Sequence, residues 1–208
     1  VTTFDLADGR ITGVHFEENF ADKEGCVFTN VFVVKKNMLQ NIVMDSIAHN
    51  KRHFLSDVIA NSVKSMKIMG YEHTGFYAGI TSLQAYYDSN MLMLDNDIRH
   101  EVFGDKGVFT KIRDSAPTKY GNSAIVKNSV IADGCIIEGE VENSIIFRNV
   151  KVARGAVVKN SIVMQNTVLG ENCTLNCIIA DKNVVVRDKK VLSGSENHPF
   201  YIGKGIMI

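Results

Sequence analysis

The chain has 208 residues, with 23 basic and 23 acidic side chains and a formal charge of zero at neutral pH, which leaves no electrostatic footprint for nucleic acid or an anionic membrane. A chain of this length forms one or two domains and buries roughly 70% of its unfolded surface. Four cysteines with no CxxC pair speak against a disulfide frame. With no apolar run near the ~20 residues of a membrane span and no signal peptide at the start, a cytoplasmic protein is expected.

Taken in order, Phe4 to Phe16 reads as two strands joined at Asp8-Gly9, a hairpin signal. So abrupt a start suggests the C-terminal part of a longer polypeptide, the rest cut away or encoded elsewhere. Cys26 to Val34 reads as a buried strand. Met38, Leu39, Ile42, Val43 and Ile47 fall on one face of a helix. A second helix begins at His53-Phe54-Leu55-Ser56-Asp57, and Ile68 to Tyr71 is a short strand. Thr81-Ser82 caps a third helix carrying Leu83, Tyr86, Tyr87, Met91 and Leu94. Alternating strands and helices predict an α/β unit before residue 100, with Asp95 to Pro117 as a linker.

From Asn128 onward a pattern repeats: Asn, then Ser or Cys, then two β-branched residues. The copies start at Asn128, Asn143, Asn160 and Asn176, so the spacings run 15 (128 to 143), 17 (143 to 160) and 16 (160 to 176). Within each copy a second aliphatic follows after six positions: Ile131 and Ile137, Ile146 and Val152, Val163 and Leu169, Ile179 and Val185. Neither a strand period of two nor a helix period of 3.6 accounts for this. A parallel β-helix does, with those eight aliphatics inside, small residues such as Cys135 and Cys173 near the corners, and Gly or Asn at turns where φ is positive.

The chain resembles the ADP-glucose pyrophosphorylase (glucose-1-phosphate adenylyltransferase) family. The resemblance rests on Asp8-Gly9-Arg10-Ile11, His53-Phe54-Leu55-Ser56-Asp57, Gly75-Phe76-Tyr77-Ala78-Gly79-Ile80, Ala85-Tyr86-Tyr87, Asn90-Met91 and Ala116-Pro117-Thr118-Lys119-Tyr120. It implies the C-terminal part of a Rossmann-like α/β nucleotidyltransferase domain over residues 1–110, linker included, then a left-handed parallel β-helix of hexapeptide repeats over 111–208. It also implies tetramers, and ADP-glucose made from ATP and glucose 1-phosphate for glycogen synthesis.

The departures from the family pattern concern chemistry. No Gly-rich phosphate loop with its Arg and Lys is present, and phosphoryl transfer without such a cradle lacks its main charge stabilisation. In register with Ala85-Tyr86, the position of the family's magnesium-holding Asp is Gly79, which offers no side-chain oxygen. The Glu-Lys-Pro motif that supplies a lysine to the sugar phosphate belongs near residues 14 to 24, where Phe16-Glu17-Glu18-Asn19-Phe20 stands. These losses resemble the catalytically degraded regulatory subunits (GlgD type) that accompany a catalytic, magnesium-using GlgC-type subunit. Two alternatives stay open: a catalytic nucleotidyltransferase whose N-terminal half lies outside this chain, and a β-helix that serves only assembly.

Individual residues carry two readings each. Asp57 and Tyr77 are remnants of the substrate pocket on the resemblance; on local grounds Asp57 simply starts a helix. Arg148, Lys151, Arg154 and Lys159 form an anion-binding stripe, or a solvated face mixed with Glu138, Glu140 and Glu142. Lys204 lies where some family members bind an anionic effector, although a lysine near a chain end is ordinarily solvated. The six histidines show no HxH or HExxH spacing, so no metal site is expected. None lies between Asn122 and Val191, which removes the general base that hexapeptide acyltransferases carry on their coil.

Overall fold

A computed structural model describes residues 2–16, 26–104, 107–110 and 114–208. The chain divides into two compact units, Val1–Tyr77 and Ala78–Ile208.

In the first unit, β1 (Thr2–Ala7) and β2 (Arg10–Phe16) pair antiparallel. Asp8 and Gly9 both take positive φ, 50° and 73°, the two-residue turn whose twist matches the strands it joins. β3 (Cys26–Val27) adds to the other edge of β1, giving the order β2-β1-β3. Here two expectations fail. The buried strand over Cys26–Val34 stops at Val27: Asn30 turns left-handed (φ 59°) and breaks the extension, and Val31 and Val33 are exposed. The strand at Ile68–Tyr71 shrinks to one antiparallel bridge, Met69 to Arg10, flanked by Ile11 N–H to Ile68 O and Gly70 N–H to Gly9 O.

Helix α1 (Lys36–Ala48) forms as its periodicity predicts, and Asn50, left-handed at φ 52°, ends it. The π-helical turn Phe54–Ile59 runs into α2 (Ala60–Ser62) and buries Val58, with Val63 following.

The second unit opens with α3 (Leu83–Met91). Its N-cap is Ser82, as expected, whose hydroxyl accepts the Ala85 N–H at 3.0 Å. The stretch read as a linker contains another helix, α4 (Asn96–Phe103), capped by the Asp95 carboxylate accepting from the Asp97 and Ile98 amides.

The rest is a parallel β-helix with three five-stranded faces. Face 1 stacks Lys119–Tyr120, Ile136–Ile137, Lys151–Val152, Val168–Leu169 and Val185–Val186. Face 2 stacks Ile125–Lys127, Glu140–Glu142, Val157–Lys159, Thr174–Asn176 and Val191–Ser193. Face 3 stacks Val130–Ile131, Ile145–Ile146, Ile162–Val163, Ile178–Ala180 and Phe200–Ile202. Asparagine serves the corners because its short amide tolerates positive φ and bonds its neighbours. Asn128, Asn143, Asn160 and Asn176 pass hydrogen bonds amide to amide between coils at 2.7 to 3.0 Å, and Asn149, Asn166 and Asn183 form a second such ladder. The buried hydroxyls of Ser144 and Ser161 each accept an N–H from the next coil and donate to the carbonyl two residues back. None of these asparagines and serines has a buried side-chain polar atom without a partner.

In the fourth repeat the structure departs from the sequence register. Ile162 pairs with Ile179 and Val163 with Ala180, so the residue at the left-handed corner is Cys177 (φ 53°), not Asn176. Side chains alternate along a strand, and a one-residue slip exchanges inside for outside. The interior therefore holds Ile178, Ala180, Val184 and Val186, whereas Ile179 and Val185, both expected inside, face outward. The other six expected residues do line the interior, Ile131 only partly buried. The cause lies in the flanking corners. Asn166 and Asn183 stand 17 residues apart, as do Asn143 and Asn160, and that spacing carries the third corner from Asn160 to Cys177.

The C-terminal segment closes the coil. Phe200–Ile202 pairs with Ile178–Ala180, Met207 bridges Val185, and Ile202 is buried with Ile208 packed against the same core.

Candidate functional site

Asp57 lies in the first turn of the Phe54–Ile59 segment, three residues after its start, and both carboxylate oxygens are engaged. Oδ2 accepts the Arg52 and His53 amides at 2.8 and 2.9 Å, and Oδ1 accepts the Ser56 hydroxyl at 2.8 Å. These donors, His53 first, favour the charged form and hold the carboxyl down to about 2 from an ordinary 3.8. A lowered folded value means that the stabilisation is complete above about pH 4 and is lost as pH falls through about 2. Asp57→Asn should abolish that segment of the acid-unfolding curve. Wild type and variant losing stability in parallel between pH 4 and 2 would show that the carboxylate holds nothing.

Tyr77 is half exposed at the end of the first unit. Gly79 lies in an irregular stretch of the second unit, four residues before α3. The Glu17-Glu18 pair lies outside the described residues.

The four basic residues on the coil do not form one stripe. Arg148 sits at the corner between faces 3 and 1, its Nε 2.9 Å from Asp133. Lys159, on face 2, bridges Glu142 (2.8 Å) and Glu140 (3.4 Å), and the pairing raises its pKa while lowering that of Glu142. Lys151 projects from face 1. Arg154 stands at the corner between faces 1 and 2, where Gly121, Asn122, Ser123 and Glu138 join it around an open concavity of about 510 Å³. The coil bonds Gly205 N–H to Lys182 O, Asn183 N–H to Gln165 O and Asn166 N–H to Arg148 O place Lys204 above Lys182 in the Arg148 column. Thus Lys204 and Arg148 share an edge, and Arg154 is on another.

The feature that residue-by-residue reading missed is α3 lying on face 3. Tyr87 is 4% exposed and packs with Ile162 and Ile179, and partly buried Tyr86, Met91, Phe147 and Met164 complete the cluster. Its hydroxyl donates to the Asn160 carbonyl at 2.6 Å, and the Gln84 amide donates to the Glu196 carbonyl at 2.7 Å. Burial raises the Tyr87 phenol and the Cys177 and Cys135 thiols, and carries Cys173 to about 11. Thiols shifted that way are packing groups, not nucleophiles. An outward isoleucine column, Ile145, Ile162 and Ile179, was the available signal, since the matching outward positions of face 1 include Lys119 and Lys151.

The donor set does not suit a magnesium ion. Gly79 brings no side-chain oxygen, Asp57 is committed to backbone amides, and no group of three or more His, Cys, Asp or Glu among the described residues is placed to hold a metal. No helix among them is long and apolar enough to cross a membrane.

Comparison with known proteins matches residues 115–198 to a family described as GlmU-like, C-terminal hexapeptide. The chain is 33% identical over 195 residues to a glycogen biosynthesis protein GlgD of Bacillus subtilis (strain 168), covering 88% of this chain and 56% of that protein. A second GlgD, from Geobacillus stearothermophilus, is 43% identical over 169 residues, covering 79% and 49%. A glucose-1-phosphate adenylyltransferase of Acetivibrio thermocellus is 30% identical over 178 residues, covering 84% and 41%. The chain spans about half the length of the curated relatives it matches.

Proposed function

We propose that the chain belongs to the glucose-1-phosphate adenylyltransferase family, within its GlgD-type branch, and that it acts as a non-catalytic, regulatory part of an ADP-glucose-forming assembly in glycogen synthesis. The observation that carries this reading is Gly79, at the position where catalytic members hold their metal with an aspartate. Asp57 supports it, because a carboxylate already bonded to two amides and a hydroxyl has little left for a substrate. In this reading the partner is a magnesium-using GlgC-type subunit, the assembly is a homo- or hetero-oligomer of four subunits, and the β-helix supplies contact surface while Lys204, Arg148 and Arg154 are the candidates for an anionic effector.

The test is direct. Incubated with ATP, Mg²⁺ and glucose 1-phosphate, the chain alone should form no ADP-glucose, and Gly79→Asp should not restore it, since each missing electrostatic element is worth on the order of 10²–10³ in rate. Added to a catalytic subunit, the chain should change that subunit's rate or its response to effectors. Turnover by the chain alone above a contaminant control would overturn the proposal, and so would a catalytic subunit indifferent to its presence.

A further inference from the structure

The corner from face 1 to face 2 takes four residues at 121–124, 153–156, 170–173 and 187–190, but between the first two of these it is made by Glu138 and Gly139 alone. This is why Asn128 and Asn143 stand 15 residues apart when Asn143 and Asn160 stand 17 apart. Glycine is required in the short corner, because a Cβ at Gly139 would collide with the carbonyl oxygens of Ala156 and Ala153. The two missing residues leave a notch in the edge of the solenoid. It is the open concavity of about 510 Å³ between Gly121, Asn122 and Ser123 of the corner before and Arg154 of the corner after, with Glu138 also lining it.

The short corner strips a backbone donor of its acceptor. Gly155, Asn172 and Lys189 hold the same left-handed place in successive corners, with φ of 72°, 57° and 60°. Asn172 N–H reaches the Arg154 carbonyl at 3.2 Å and Lys189 N–H the Glu171 carbonyl at 2.8 Å, but for Gly155 the residue that would offer the carbonyl is one of the two that the short corner lacks. Next to this N–H stands Arg154, whose side chain is exposed and, among the described residues, meets no hydrogen-bond or ion-pair partner. The Glu138 carboxylate is exposed and unpartnered in the same way, and the two do not bridge each other.

The two charges decide what fits. A bare anion drawn to Arg154 is opposed by Glu138, and a bare cation drawn to Glu138 is opposed by Arg154. A molecule carrying both charges answers both. A carboxylate oxygen in the place of the missing carbonyl accepts from Gly155 N–H and from the guanidinium, in bonds strengthened by charge, while an ammonium on the adjoining carbon is available to Glu138. We infer that the notch is a binding site for a free α-amino acid, its carboxylate on Arg154 and Gly155, its ammonium on Glu138, and its remaining atoms against Asn122 and Ser123. The inference uses the coil alone and does not depend on whether the chain is regulatory or catalytic.

The probes are the common α-amino acids, added one at a time to the isotopically labelled 208-residue chain, with the amide signals of Gly139 and Gly155 followed by nuclear magnetic resonance. At least one should shift both signals saturably, with a Kd of about 1 mM or lower. Its amide, which lacks the carboxylate, its N-acetyl derivative, which lacks the ammonium, and inorganic phosphate should each bind at least about 10-fold more weakly, as should the amino acid itself to Arg154→Ala and to Glu138→Gln, since each loses a hydrogen bond to a charged group. Cys135 and Cys173 should stay unreactive in both variants, which separates a lost site from a lost fold. No saturable response to any amino acid, phosphate binding as tightly as the best of them, or Glu138→Gln binding as well as wild type would each overturn the inference. None of these outcomes reads ADP-glucose formation, so the proposed function stands or falls separately.

Discussion

Val163→Asp should unfold the β-helix. The side chain is fully buried in a middle coil, with Ile146 on one side and Ala180 on the other in the stacked register. A carboxylate there has no donor to meet, and an unpaired buried charge belongs to the short list of changes costing more than about 4 kcal/mol. Total stability of a domain is roughly 5–15 kcal/mol, and a solenoid couples each coil to its neighbours. The loss therefore spreads. Circular dichroism should show a collapse of the thermal transition, and Cys135 and Cys173, otherwise buried, should react with a thiol reagent within the mixing time. The same chemistry tests the register of the fourth coil. Val184→Asp and Val186→Asp should be as damaging as Val163→Asp, whereas Val185→Asp, on the outer surface of face 1, should be much milder. Equal damage at all three valines would mean that the coil does not hold the pairing described.

That comparison also marks where the sequence was legible and where it was not. The hairpin could be read because Asp8-Gly9 has little use other than a turn with two positive φ angles, and α3 because Ser82 is a strong cap followed by a periodic run. The solenoid could be read because Asn, Ser and paired aliphatics recur. In the fourth coil the same signal became ambiguous. Ile178, Ile179 and Ala180, then Val184, Val185 and Val186, are apolar in both alternations, so burial alone cannot choose between two registers. Asn176 resembles the earlier corner residues and in fact continues their amide ladder, but its backbone belongs to a face 2 strand. Only the 17-residue spacing set by the neighbouring corners decides. In the first unit the run Val31-Phe32-Val33-Val34 looked like a buried strand because composition reports a preference for burial and says nothing about whether a partner is present. Of the candidate site, the sequence offers positions alone, among them Gly79 where the family resemblance puts a carboxylate, whereas the engagement of Asp57 with two amides required coordinates.

Tyr87→Ala should cost about 3–5 kcal/mol, the range for truncating a large buried aromatic, and should do so in the β-helix even though Tyr87 belongs to a helix outside it. The reason is the two-sided burial of face 3. In an ordinary solenoid wall the inward residue of each strand packs and the outward one meets water; here Ile162 and Ile179 point outward and are still fully buried, because α3 covers them. Removing the ring opens a cavity over both isoleucines and leaves the Asn160 carbonyl without the hydroxyl that reaches it at 2.6 Å. Tyr87→Phe separates the two effects: it keeps the packing and loses only a neutral hydrogen bond, so the expected cost is about 1 kcal/mol. Denaturant unfolding of the two variants, followed by the far-ultraviolet signal of the β-helix, gives both numbers. If Tyr87→Ala left that transition within about 0.5 kcal/mol of wild type, the value typical of an indifferent surface change, α3 would be an appendage. If the larger value is found, the folding unit of the solenoid begins before α3, and a fragment that starts at the first coil will expose Ile162 and Ile179 and aggregate.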